Sequence, residues 1–210
     1  MIRKRAWFPI AYMFCVTAFF SSIVIGLTRL TGERVEANEE LAFERAVLSV
    51  LPEVDVETMT RLEIHNTFTQ MIEEPDDLSR GAYTAKKNGR IIAHILPMSG
   101  QGFWSPIKGV IGVKTDKETI TGIAIYEQNE TPGLGAEIAK APFRKQFLGK
   151  VISSNGEPID IRRPGITLGD NEVHAVTGAT QTSNRLEIII NTALKQWRDP
   201  SARKGEGSPP

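Results

Sequence analysis

The sequence predicts an α+β protein, with one N-terminal transmembrane helix followed by an extracytosolic domain in which a mostly antiparallel sheet is packed by helices. Three observations carry this reading. An uncharged apolar run occupies residues 6–27, two pairs of β-rich segments are each joined by a short turn, and apolar residues recur at helical spacing near the C-terminal end.

Residues 6–27, at about 1.5 Å rise each, reach roughly 33 Å, enough to cross the hydrocarbon core. A cleaved signal would carry a shorter apolar region ending at small residues, whereas this run continues into Thr28-Arg29-Leu30, so an uncleaved anchor over 6–28 is expected. Arg3, Lys4 and Arg5 precede the span, while Arg29 and Arg34 beyond it are interleaved with Glu33 and Glu36. Basic flanks stay cytoplasmic, so residues 1–5 are expected inside and the rest of the chain outside, in the periplasm or extracellular space. Trp7 and Tyr12 suit an interface.

Residues 29–52 read as a stalk and helix. The stretch 31–37 is polar and charged, Asn38 offers a cap to a helix beginning at Glu39-Glu40, and Pro52 stops it. Residues 53–198 are expected to form the domain. Within it, 82–87 and 90–96 flank Asn88-Gly89, a pair suited to the positive φ values of a tight hairpin turn. A second hairpin pairs 107–115 with 119–126 around Asp116-Lys117-Glu118. A short helical stretch follows Pro142 with Phe143 and Phe147 on one face, and 152–170 reads as loop with short strands. The last helix carries Leu186, Ile189, Ile190, Ala193, Leu194 and Trp197, and Asn184 with Glu187 has the spacing of a capping box. From residue 199 to 210 the composition predicts a disordered tail.

Composition narrows the functions open to such a chain. With 25 basic and 25 acidic residues, no field covers the whole surface that would steer it to nucleic acid. The single cysteine, Cys15, lies inside the apolar run, which excludes an intrachain disulfide, a Cys-x-x-Cys redox pair and cysteine-ligated clusters. His65, His94 and His174 lack metal-ligand spacing, so no metal is expected. Neither a Gly-x-Gly-x-x-Gly dinucleotide unit nor a phosphate loop ending in Gly-Lys-Ser/Thr is present.

Chemistry concentrates before the last helix, in Thr177-Gly178-Ala179-Thr180-Gln181-Thr182-Ser183. Gly178 and Ala179 permit close approach to the backbone, and the free amides and positive end of the following helix favour a phosphate. Taken alone, the same residues also make ordinary caps and turns.

Thr177-Gly178-Ala179-Thr180 followed by Gln181-Thr182-Ser183 resembles the Ser/Thr-Gly-Ala-Thr flavinylation motif of the FMN-binding domain family, which includes the NqrC subunit of Na⁺-translocating NADH:quinone reductase and the RnfG subunit of Rnf complexes. Ser99-Gly100-Gln101-Gly102-Phe103-Trp104-Ser105 is similar to that family's glycine-rich aromatic segment, and Glu130-Thr131-Pro132-Gly133-Leu134-Gly135 to its Glu-Thr-Pro-Gly-Leu-Gly loop. One position departs: His174 stands where the family usually has Asp, three residues before the motif.

The resemblance implies FMN joined covalently to Thr180 by a phosphoester, installed by a separate flavin transferase, with Thr177, Gly178 and Ala179 shaping the loop. Thr182 and Ser183 would bond phosphate oxygens or cap the helix. Gly100, Gly102, Trp104 and Ser105 would lie near the flavin by backbone and aromatic contact, and Glu130, Thr131, Gly133 and Leu134 would face it from a rigid bend. No catalytic residue is implied. The expected role is a redox carrier subunit in an inner membrane, working with other membrane subunits of a redox-driven ion pump and with membrane lipid around its anchor. Whether that pump is of the Rnf or the quinone reductase type stays open. Two alternatives remain beside it: a membrane-anchored noncovalent flavin-binding or assembly module, and a free-standing extracytosolic flavoprotein reductase.

Overall fold

The structure, a computed structural model, describes residues 7–199. The expected basic flank 1–5 and residues 200–210 of the expected tail lie outside them. The chain divides between Glu40 and Leu41 into two compact units.

The first unit is helical, formed by the leading part of α1 (Trp7–Ser49), a helix long and apolar enough to cross a membrane. None of its apolar window is buried in protein, and Phe14, Phe19 and Phe20 are exposed. Three of its hydroxyl groups are turned back on the helix: Ser22, Thr28 and Thr31 each donate to the carbonyl four residues earlier, at 2.7, 2.9 and 2.9 Å. Those three hydroxyl hydrogens thus need no water. The helix expected to start anew at Asn38 does not do so. Residues 31–37 are helical as well, because Glu33, Arg34 and Glu36 are good helix formers and no proline intervenes.

In the second unit, Ala46, Val47, Leu48, Val50 and Leu51 bury the end of α1 and the turn that follows it. A short 3₁₀ turn (Val56–Thr58) leads to α2 (Arg61–Met71), which sequence reasoning did not anticipate. Thr60 caps it by accepting from the Glu63 N–H at 3.3 Å while the Glu63 carboxylate accepts from the Thr60 N–H at 2.7 Å.

Five strands then form one antiparallel sheet in sequence order: β1 (Ile72–Glu73), β2 (Tyr83–Lys87), β3 (Arg90–Gln101), β4 (Pro106–Lys114) and β5 (Ile120–Glu127). The turn between β2 and β3 has Asn88 at φ 52° and Gly89 at φ 73°, the positive values expected of that pair. Strand β3 runs longer than expected, carrying Ser99, Gly100 and Gln101 in register with Lys108, Ile107 and Pro106.

Side chains alternate across this sheet. Ala93, Ile95, Val110 and Ala124 face the end of α1 and Ile64 of α2. Leu96, Met98, Ile107, Ile111 and Ile123 face the final helix, α4 (Thr180–Arg198), through Leu186, Ile189, Ile190, Leu194 and Trp197. Between sheet and α4 the chain passes through a 3₁₀ turn (Gly135–Ala139), α3 (Ala141–Arg144) and a second turn (Lys145–Phe147), with Phe143 and Phe147 buried. It then passes through β6 (Asp160–Arg162) and β7 (Glu172–His174), a small parallel pair. The architecture is α+β, a mostly antiparallel sheet with helices on both faces.

The expected cap at Asn184 is absent, since α4 starts four residues earlier and Asn184 lies inside it. Glu187 instead accepts from the Ile161 N–H at 2.5 Å, tying α4 to β6. Burial pushes its carboxyl above the ordinary value against the lowering effect of that bond.

Candidate functional site

The three motifs meet at the N-terminal end of α4. A cavity of about 360 Å³ is lined by Phe103 and Trp104 from the β3–β4 turn, by Glu130, Thr131, Leu134 and Gly135 from the loop after β5, and by Gly178, Ala179, Thr180, Gln181 and Thr182. Phe103 and Trp104 pack edge to face with centroids 4.9 Å apart, yet remain 50% and 66% exposed, and Leu134 is 43% exposed. Their free surfaces suit a flat apolar ring.

Thr180 is the first residue of α4 and is exposed. Its hydroxyl makes no hydrogen bond among the described residues. The N-cap residue is Ala179, and no side chain caps the helix. The first intrahelical amide bond runs from Ser183 N–H to the Ala179 carbonyl at 3.0 Å, so the amides of Thr180, Gln181 and Thr182 have no partner within the helix. A hydroxyl beside three such amides at a positive helix end fits a phosphate ester.

The approach to Thr180 is held firmly. The Gln146 side-chain amide brackets the His174 backbone, accepting from its N–H at 2.8 Å and donating to its carbonyl at 3.2 Å. Ala175 N–H donates to the Arg162 carbonyl at 2.7 Å, and Val176 N–H to the Ser183 hydroxyl at 3.2 Å. Ser183 therefore anchors the incoming loop; it is neither the helix cap nor turned to the cavity. Thr182 is also committed, its buried hydroxyl donating to Glu130 Oε2 at 2.7 Å. The other carboxylate oxygen, Glu130 Oε1, accepts from Trp104 N–H at 3.0 Å.

Of the residues singled out in the sequence, Trp104, Glu130, Thr131, Leu134, Gly178, Ala179, Thr180 and Thr182 line the cavity, while Gly100, Gly102, Ser105, Gly133, Thr177 and Ser183 do not. Gly100 lies on β3 under α4, where a Cβ would stand 2.6 Å from Ile189 Cγ1. At Gly102 a Cβ would stand 2.6 Å from Glu130 Oε1 and from the Ser105 carbonyl. Ser105 braces the turn, its hydroxyl accepting from Asn129 N–H at 3.0 Å. Phe103, Gly135 and Gln181 complete the lining, and all three are direct neighbours in the chain of residues already singled out. His174 Nδ1 is buried without a hydrogen-bond partner. No group of three or more His, Cys, Asp or Glu side chains among the described residues is arranged to hold a metal ion.

An aromatic-walled cavity closed at one end by an uncapped helix start defines a binding domain for a phosphorylated flat cofactor. Residues 102–195 match the model of the FMN-binding domain family.

The NqrC subunit of the Na(+)-translocating NADH-quinone reductase of Vibrio vulnificus strain YJ016 is 40% identical over 108 residues, covering 50% of this chain and 42% of the relative. The corresponding subunit from Chlamydia pneumoniae is 38% identical over 136 residues, covering 56% and 42%. The chain thus spans about two fifths of the length of the curated relatives it matches. Among solved structures, the corresponding subunit from Parabacteroides distasonis superposes with a TM-score of 0.65 at 25% identity, covering 78% of this chain and 94% of that one. Shewanella oneidensis NqrC shares the fold, with a TM-score of 0.50 at 24% identity over 61% and 70% of the two chains.

Proposed function

We propose that this protein is an electron-transfer subunit that carries FMN, joined by a phosphoester to Thr180, within a membrane complex of the Na⁺-translocating NADH-quinone reductase type. The observation that carries the reading is the unpartnered Thr180 hydroxyl at the uncapped start of α4, on the rim of the cavity that the three motifs line. Relatives that are NqrC subunits of such a reductase support the choice of complex over the Rnf type. FMN, when bound, supplies one- and two-electron redox chemistry.

The chain's own residues bind and orient. The amides of Thr180, Gln181 and Thr182 would receive phosphate oxygens, while Phe103, Trp104 and Leu134 would flank the ring and keep water from it. Covalent attachment also removes the need for tight equilibrium binding. That matters outside the cytoplasm, where lost flavin is not easily replaced, and the basic flank Arg3-Lys4-Arg5 supports placing the domain there. Partners are the other membrane subunits, a flavin transferase for maturation, and lipid around the apolar helix.

The test is co-expression with a flavin transferase. Wild type should gain the mass of one FMN less one water and fluoresce on a denaturing gel. Thr180→Val keeps the β-branched shape without the oxygen, so it should fold and lose both signals. A fully fluorescent Thr180→Val, or a wild type without flavin beside an active transferase, overturns the covalent reading. A second reading, noncovalent FMN, is favoured by His174 in the place of the family's Asp; it predicts flavin in the native protein and none on the denaturing gel.

A further inference from the structure

Glu130 is 4% exposed and lines the cavity, yet no Lys, Arg or His among the described residues forms an ion pair with it. Burying a carboxylate with only one amide and one hydroxyl in place of water is costly. The hydrogen bonds alone do not demand it. A glutamine would accept from Trp104 N–H with its oxygen and donate to a rotated Thr182 hydroxyl with its nitrogen, carrying no charge.

The surroundings are nevertheless built for this one side chain. A Cβ at Gly102 would stand 2.6 Å from Glu130 Oε1, and one at Gly135 would stand 2.9 Å from Glu130 Cβ and 3.0 Å from Oε2. Small residues on two separate segments thus leave the carboxylate its room. It joins segments distant in sequence: the aromatic turn at Trp104, the loop at Glu130 itself, and α4 at Thr182, two residues from Thr180.

We propose that Glu130 is a positioning residue with a second, electrostatic role. Its carboxylate fixes the spacing between the aromatic wall and the Thr180 end of the cavity, and its fixed negative charge lowers the reduction potential of a flavin held there. The proposal rests on the FMN reading above. Reduction adds electron density to the cofactor, and a fixed anion in a poorly hydrated wall disfavours that addition.

Two measurements on the full chain in detergent separate the roles. In the flavin-loaded protein, compared at equal flavin content, Glu130→Gln should shift the oxidised-to-reduced balance at least tenfold toward the reduced form, which is about 59 mV for a one-electron couple. In flavin-free protein, the Trp104 amide should exchange with solvent at least tenfold faster in Glu130→Ala than in wild type, and at nearly the wild-type rate in Glu130→Gln. A Glu130→Gln protein with the wild-type potential overturns the electrostatic role. Equal Trp104 exchange in wild type and Glu130→Ala overturns the tie. A wild type that takes up no FMN overturns the functional reading together with the electrostatic role, while the exchange experiment still decides the tie.

Discussion

Gly133 and Gly135 sit two residues apart in one loop and are glycine for different reasons, so the same substitution should have different consequences. At Gly135 a Cβ would lie 2.6 Å from Thr182 Oγ1, 2.9 Å from Glu130 Cβ and 3.0 Å from Glu130 Oε2. Accommodating it requires either overpacking, at about 1–3 kcal/mol, or displacing Thr182 from the Glu130 carboxylate, losing a charge-assisted bond of about 1.5–3 kcal/mol. At Gly133 no atom lies within 4 Å of the added carbon, and the penalty is conformational, from φ at 75°. With Pro132 before it and Leu134 N–H bonded back to the Thr131 carbonyl at 3.1 Å, this is the turn position that wants a positive φ. An alanine there costs about 1–2 kcal/mol. Gly135→Ala should therefore lose about 2–3 kcal/mol, a drop in urea midpoint of about 1 M or more for a slope near 2 kcal/mol/M. Asparagine distinguishes the two causes. It tolerates positive φ, so Gly133→Asn should be milder than Gly133→Ala, whereas Gly135→Asn should be worse than Gly135→Ala. Urea unfolding of all four variants, with bound flavin measured alongside, is the assay. A Gly135→Ala protein at least as stable as Gly133→Ala would refute the steric argument and with it the tight packing around Glu130.

Two further outcomes are expected. His94 Nδ1 is buried without a partner beside Trp197, at 5.5 Å between ring centroids, and burial, with a smaller contribution from Lys117, holds the imidazole below its ordinary value of 6.5. The unfolded chain therefore binds this proton more readily, so His94 costs the domain stability as pH falls below about 6.5; the difference in urea midpoint between pH 7.5 and 5.5 should shrink in His94→Gln, and an unchanged difference would refute the argument. The proposed orientation is checked by Ser154→Cys, an exposed position that should react with a membrane-impermeant thiol reagent in intact cells while Cys15 stays protected; reaction only after lysis would reverse the topology.

Much of the fold is legible because it depends on neighbours in sequence. Asn88-Gly89 announces its turn, and the β-rich runs flanking each short turn announce the strands they become. Where reading failed, a local signal was outweighed or assigned to the wrong place. Helix α2 carries one fully buried apolar residue, Ile64, and leaves Leu62 68% exposed, so its periodicity is faint. Its Thr60-x-x-Glu63 cap was nevertheless visible, while the same spacing at Asn184 and Glu187 fell inside a helix. The start of α4 was obscured because Thr180 opens it without a capping side chain, the very feature that leaves its amides open.

The site divides along the same line. A motif shows which residue types recur, and here that was enough to mark Thr180, Trp104 and Leu134, which reach the cavity from their own loops. It does not show what a glycine makes room for or whom a carboxylate meets. Gly100 accommodates Ile189, Gly102 and Gly135 accommodate Glu130, and Glu130 in turn meets partners 26 residues before it and 52 after it. Such contacts depend on the register of β3, β4 and β5 and on the placement of α4 across them, so they arise only once the sheet has formed. In physical terms, the chain encodes the cofactor-facing surface locally and its support nonlocally. Substitutions on the exposed rim should therefore alter binding with little loss of stability, whereas substitutions around Glu130 should alter both, because the same buried bonds hold the cavity and join the sheet to α4.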